Sequence, residues 1–246
     1  MRICLDQRTS GGCRANNPDS AKVCAQCGRS LRYALELHNP GTPIGPYRIC
    51  QIIGFGGFGA VYEAEDTRRR GFHVALKESF DPNDIRAFQG EFAILQLLQH
   101  DHLPHYYEMF EADGNGYLVM ELIPGQSLQD VLKQRRGQPL AEAQVLGYAI
   151  QICDVLTYLH SQNPTIIHRD IKPANMRLTP DGLIKLVDCL FKQGSEETRS
   201  SRRGLTPMYA PLEQWGTTTQ HTSRRATCIA WQPRSITCSR VSRQHQ

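Results

Sequence analysis

At 246 residues, with 40% hydrophobic and 21% charged residues, the chain has the composition of one or two globular domains, not of a disordered, collagen-like or membrane protein. The formal net charge of +4 averages a near-neutral body and a basic tail: residues 214–246 hold five of the 28 basic residues, all arginine, and none of the 24 acidic ones. No apolar run approaches the roughly eighteen residues of a membrane span, and Met1-Arg2-Ile3-Cys4-Leu5-Asp6 lacks the apolar stretch of a secretory signal, so a cytoplasmic protein without a membrane segment is expected.

In chain order, the first feature is a crowd of cysteines. Of nine in the chain, Cys4, Cys13, Cys24 and Cys27 fall within residues 1–31, a clustering that suggests metal more than disulfides. Cys24-Ala25-Gln26-Cys27-Gly28 is a knuckle pair whose turn brings two thiolates to one ion, and Cys13 and Cys4 can close a tetrahedral, structural Zn2+ site. This segment resembles the short zinc ribbons of some bacterial proteins, with the first Cys pair stretched; free thiols or a redox pair are the other reading. Residues 32–46, with His38-Asn39-Pro40-Gly41-Thr42-Pro43-Ile44-Gly45-Pro46, are expected to form a linker, because Pro and Gly block both helix and ladder.

A domain is expected to begin at Tyr47. Tyr47 to Ile53 alternates as a strand does, Ala60 to Ala64 resumes after a glycine-rich turn, and His73 to Glu78 predicts a third strand. Phe88, Phe92, Leu95 and Leu98 have helical spacing, Gly116 to Leu122 predicts another strand, and Ser127–Arg135 and Ala141–His160 predict amphipathic helices. Strands come early and helices late, an α+β order.

Gly54-Phe55-Gly56-Gly57-Phe58-Gly59-Ala60-Val61 fits G-x-G-x-x-G-x-V, in which missing Cβ atoms let backbone amides approach phosphates. A dinucleotide fingerprint of the same form opens a helix, whereas a strand follows here. Val74-Ala75-Leu76-Lys77 then places an ammonium in a strand, where it can neutralise phosphate, and Glu91 on the next helix is suited to hold it. His168-Arg169-Asp170-Ile171-Lys172-Pro173-Ala174-Asn175 completes a set of three motifs in one order.

With these motifs, residues 47–213 resemble the protein kinase family, specifically the bacterial-type serine/threonine kinases. The resemblance implies a two-lobe fold, with a β-rich N-lobe over 47–122, a partial helical C-lobe over 123–213 and a small zinc ribbon before them. It implies ATP and Mg2+ as cofactors and proteins with Ser or Thr acceptors as substrates. Asp170 would accept the substrate hydroxyl's proton, Lys172 would stabilise the transferring charge, and Asn175 and Asp188 would hold magnesium. Ile53, Gly54, Gly56, Gly59, Val61, Ala75, Lys77 and Glu91 would serve the nucleotide, with Met120 as gatekeeper and Glu121 and Ile123 offering main-chain groups to adenine. Arg169 would meet a phosphate on the activation loop, where Ser195, Thr198, Ser200 and Ser201 are candidate autophosphorylation acceptors. Thr206 and Glu213 resemble the close of that segment.

Two departures leave a second reading open, an ATP-binding pseudokinase or scaffold whose ribbon recruits a partner. Asp188-Cys189-Leu190 stands where the family has D-F-G, and the register of Leu190-Phe191-Lys192 suggests a missing residue. From Ser223 on, no apolar helical pattern follows. Codons permitted for Ala226 to Val241, read two nucleotides later, can spell a helix of the expected type, so 214–246 is expected to be a basic, disordered or out-of-frame tail on a truncated lobe. Nucleic-acid binding by five dispersed arginines is not expected.

Overall fold

The computed structural model describes residues 1–6, 11–56, 59–80, 85–163, 165–168, 170–187 and 192–193, with backbone alone at 86–88, 91 and 192–193. Two compact units emerge among the described residues, Met1–Leu98 with His105–Leu122, and Gln99–Pro104 with those from Ile123 onward.

In the first unit, β1 (Arg2–Asp6), β2 (Asn16–Asn17) and β3 (Ala34–Glu36) form an antiparallel sheet in the order β2-β1-β3. A second sheet holds β4 (Pro43–Ile44), β5 (Tyr47–Phe55), β6 (Gly59–Asp66), β7 (His73–Ser79), β8 (Tyr106–Ala112) and β9 (Asn115–Glu121), in the order β4-β5-β6-β7-β9-β8. Between β7 and β8 runs α1 (Ile85–Leu95); Leu98, the last apolar residue of its predicted spacing, lies past its end and is buried.

The alternation that predicts β6 is visible in its burial, where every second residue from Ala60 to Asp66 is buried. Strand β8 has no such signature, because at the sheet edge most of its side chains are half-buried whichever way they point. It was therefore not predicted by period.

The expected linker is a correction. Residues 32–46 contain β3 and β4, and Leu35, Leu37 and Ile44 are buried. Gly45, at φ +53°, turns the chain tightly enough for β4 to pair with β5, and Pro43 is tolerated because β4 is an edge strand. The glycine and prolines here build a hairpin.

In the second unit, β10 (Gln126–Ser127) leads into α2 (Leu128–Gln134), whose first turn is capped by Ser127 Oγ accepting the Asp130 N–H at 3.1 Å. Helix α3 (Glu142–Ser161) buries Ile152, Val155, Leu156 and Leu159, the stripe its period predicts. After β11 (Ile166–Ile167), a 3-10 turn at Pro173–Asn175 precedes β12 (Met176–Leu178) and β13 (Ile184–Leu186), and β14 (Lys192–Gln193) pairs with β11. Strands β10, β12 and β13 form a small sheet. Among the described residues no helix is long and apolar enough to cross a membrane.

Candidate active site

Strand register sorts the first unit's predicted nucleotide residues onto one face. Val61 pairs with Lys77 and Lys77 with Leu118, while Ala75 pairs with Met120 in the neighbouring row. The alternate residues Ala60, Tyr62, Ala64, Val74, Leu76, Tyr117 and Val119 belong to one buried core on the other face. Because successive side chains of a strand point oppositely, Val61, Ala75, Lys77 and Met120 share the face turned away from that core.

The glycine loop is closed by the Gly56 N–H donating to the Gly59 carbonyl at 2.9 Å. At Gly59 a Cβ would lie 2.1 Å from the Glu78 carbonyl oxygen, so only glycine lets β6 approach β7 here; at Gly54 and Gly56 a Cβ would meet nothing within 4 Å. Ile53 precedes them on β5, partly exposed. Lys77 is half-buried on β7. The side chain of Glu91 lies outside the described residues, so its expected pairing with Lys77 does too.

Met120 is buried at the end of β9, and the Glu121 N–H donates to the His105 carbonyl at 2.8 Å while its carboxylate accepts the His105 N–H at 3.1 Å. The Ile123 carbonyl, in the second unit, accepts from the Arg177 guanidinium at 3.1 Å.

One buried cluster was not anticipated. Glu78, next to Lys77 but on the opposite face, is 3% exposed and its carboxylate accepts from Tyr62 Oη at 2.7 Å, Tyr117 Oη at 2.9 Å and Asn115 Nδ2 at 2.8 Å. His38 Nε2 lies 3.2 Å from the same carboxylate and 3.0 Å from Tyr117 Oη. Burial works to raise the Glu78 pKa, but the bonds from His38, Tyr62 and Tyr117 prevail and hold it below the ordinary glutamate value. Burial first, and then the charge of Glu78, push the phenols of Tyr62 and Tyr117 up. The sequence signal was available: Val74, Leu76 and Glu78 fall on one face of a strand, which places a carboxylate at a core position.

In the second unit the residues predicted for the catalytic loop are brought together. Asp170 is 7% exposed, its N–H donates to the His168 carbonyl at 2.9 Å, and His168 is fully buried. Its Oδ2 accepts from Asn175 Nδ2 at 2.8 Å and lies 2.6 Å from Lys172 Nζ. Asn175 Nδ2 also donates to the Asp170 carbonyl at 2.9 Å, so one amide holds both main chain and side chain of that residue. The Val187 N–H donates to the Asn175 carbonyl at 2.9 Å, tying the residue before Asp188 to the same loop. Arg169, Asp188, Cys189, Ser195, Thr198, Ser200, Ser201, Thr206, Glu213 and the tail 214–246 lie outside the described residues.

The four cysteines also converge, their sulfurs all within 4.8 Å of one another. Cys4 Sγ is 3.5 Å from Cys27 Sγ and Cys13 Sγ is 3.6 Å from Cys24 Sγ. A disulfide needs about 2.05 Å, whereas a tetrahedron with Zn–S bonds of about 2.3 Å has edges of about 3.8 Å. The spacing therefore fits one ion among four thiolates. Peptide N–H groups of Cys27 and then Gln26, together with Cys13 and Asn17, outweigh burial and draw the Cys24 thiol down to about 6. The backbone of Cys13 works to lower Cys4, but burial and the neighbouring thiols of Cys27, Cys24 and Cys13 push it up to about 12.

The protein kinase domain family matches residues 47–225 of this chain. The chain belongs to the protein kinase family. Among curated proteins it is 36% identical over 171 residues to the serine/threonine-protein kinase PknE of Mycobacterium bovis, and 33% identical over 183 residues to serine/threonine-protein kinase B of Synechocystis sp.. These alignments cover 68% and 70% of the chain but only 29% of either relative.

Among solved structures, the kinase domain of Mycobacterium tuberculosis PknI, as a cysteine-to-alanine mutant, aligns with a TM-score of 0.56 at 26% identity, covering 63% of each chain. The apo form of PpkA-294 aligns with a TM-score of 0.62 over 79% of this chain and 75% of its own; at 22% identity that likeness concerns the fold. The kinase-like α+β fold expected from the motifs is thus the fold of this protein.

Proposed function

We propose that this kinase-family chain transfers the γ-phosphate of ATP to serine and threonine hydroxyls of proteins. The observation that carries the reading is the closed Asp170, Lys172 and Asn175 cluster. Asp170, oriented by the Asn175 amide, takes the hydroxyl proton as oxygen attacks phosphorus, and Lys172 offsets charge on the transferring group. With its nitrogen committed to Asp170, the Asn175 amide has its oxygen left to offer, and Asn175 and Asp188 would hold magnesium, which favours oxygen ligands. Magnesium, when bound, neutralises phosphate charge. In this reading Lys77 would meet the phosphates, Glu91 is the residue proposed to hold Lys77, the glycine motif from Gly54 to Gly59 would follow the phosphate chain, and Ile53, Val61, Ala75 and Met120 would flank adenine. Glu121 and Ile123 lend it main-chain groups.

The domain limits that accompany this reading are a metal-binding module at the N-terminus and a kinase domain from Tyr47 to Glu213. Zinc is assigned to Cys4, Cys13, Cys24 and Cys27, which are free thiols and suit a reducing compartment such as the cytoplasm.

The test uses the full chain with magnesium and labelled ATP. Phosphate incorporation into the chain or a generic basic protein is expected to fall at least about a hundredfold in Asp170→Ala, while nucleotide affinity stays within about twofold. Nucleotide binding without transfer by the unaltered chain would instead support the pseudokinase reading.

A further inference from the structure

The cysteine module and the nucleotide-binding sheet are one packed body, and the contacts that join them end beside Lys77. Ile3, Leu5, Leu35 and Leu37, from and beside β1 and β3, lie in a single core with Tyr62, Val74, Leu76, Tyr117 and Val119 of the large sheet. Among the described residues the module's own core is far smaller: Cys4, Cys24 and Leu31 are buried, with Ala15, Ala21 and Ala34 packed against them. The large core holds β1 and β3, but the turns that carry Cys13, Cys24 and Cys27 have only this small one, and an ion among the four thiolates would supply the missing constraint there.

Two residues past β3, His38 reaches the buried carboxylate of Glu78, the strand neighbour of Lys77. The backbone N–H of His38 also donates to Tyr62 Oη at 3.5 Å. From the cysteine side of the module, the Arg14 guanidinium lies 6.0 Å over the Phe55 ring, within the glycine loop. The apolar side chains of β1 and β3 are thus spent on the sheet, although Val23 and Tyr33 of the module stay exposed.

Resting on the kinase reading above, we propose that the zinc-loaded module is the backing of the nucleotide sheet, with His38 as a positioning residue that acts on Lys77 through Glu78, so that zinc occupancy raises affinity for ATP. Leu76 and Glu78 flank Lys77 on β7 and both are clamped by the module's side of the core; loosening the module frees the strand that carries the ammonium.

The experiment compares the full chain with one equivalent of zinc, the same chain stripped by a chelator and returned to magnesium buffer, and the variants His38→Ala and His38→Gln. Three readouts are zinc content, affinity for a fluorescent ATP analogue, and hydrogen exchange of the β7 amides at 73–79. Stripping is expected to weaken nucleotide binding by about tenfold, or about 1.4 kcal/mol, and to speed β7 exchange. His38→Ala is expected to keep its zinc yet weaken binding by about threefold or more and speed β7 exchange, with His38→Gln, which retains a donor, recovering most of both.

Equal affinity and equal β7 protection in loaded and stripped chains would overturn the proposal and leave the kinase reading standing, as would a loaded chain holding less than half an equivalent of zinc. Failure of the loaded chain to bind nucleotide would overturn the kinase reading. In that event β7 exchange decides the backing role alone, upheld if protection is lost on stripping and overturned if it is not.

Discussion

Gly59 and Gly54 belong to one glycine-rich loop but answer to different constraints. A Cβ at Gly59 would collide with the Glu78 backbone, and neither strand can retreat without breaking the β6–β7 ladder; a Cβ at Gly54 meets open space. Gly59→Ala is therefore expected to cost about 1–3 kcal/mol in urea unfolding, and Gly54→Ala to stay within about 0.5 kcal/mol. Glu78 carries a comparable constraint in its side chain. Replacing it by glutamine turns an NH2 group toward donors that need an acceptor, and Glu78→Gln is expected to destabilise by about 1–3 kcal/mol in the same measurement. These residues show how little of a motif's meaning lies in the motif: the glycine pattern suggests phosphate, while part of its need for glycine is strand packing.

Among the elements, α3 and β7 illustrate what periodicity can settle. Helix α3 was predicted from residues three and four apart, and its buried stripe includes Val155 and Leu159, both fully buried, while Ile150 is 69% exposed. Leu159→Ala is expected to lower stability by about 2–5 kcal/mol, and Ile150→Ala by no more than about 0.5 kcal/mol, as read from thermal unfolding. Strand β7 was equally legible from its pattern, and its two faces separate the Lys77 side from the Glu78 side. Strand β8 and the strands of the cysteine module were not, because β8 is an evenly exposed edge strand, β2 and β3 have two and three residues, and the five residues of β1 are buried without alternation. The linker expectation failed for a related reason: Pro and Gly mark a turn, and whether that turn joins strands or frees them depends on what lies across it.

At the scale of the molecule, charge buried in the first unit makes its stability depend on acid. Asp66 is held below the ordinary aspartate range, first by its hydrogen bond from Arg68, and Glu78 lies below the glutamate range because its donors overcome burial. Both carboxylates therefore ionise more readily folded than unfolded. Their stabilisation is full above the unfolded values of 3.8 and 4.5 and is lost as pH falls through the lower folded ones. Urea midpoints measured from pH 7 to pH 3 are expected to hold level to about pH 5 and then fall, with a shallower fall in Glu78→Gln. Because the cysteine module supplies His38 to this cluster, stripping its zinc is expected to let the folded Glu78 pKa rise toward its unfolded value, lowering stability near neutral pH and making the acid fall shallower.

The amino-acid sequence by itself determined the family, strands β5, β6, β7 and β9 of the large sheet, the long helix and the Asp170, Lys172 and Asn175 motif, because these follow from local period and from motifs whose chemistry tolerates few substitutes. It also singled out four cysteines as one metal set. The tertiary structure decided that the sulfurs meet, that Asn175 grips both ends of Asp170, and that the segment from β3 to β4 is part of the sheet's core. It alone joined His38 to Glu78, forty residues away, since a cross-sheet contact between a histidine in a turn and a carboxylate in a strand leaves no period or spacing in the chain.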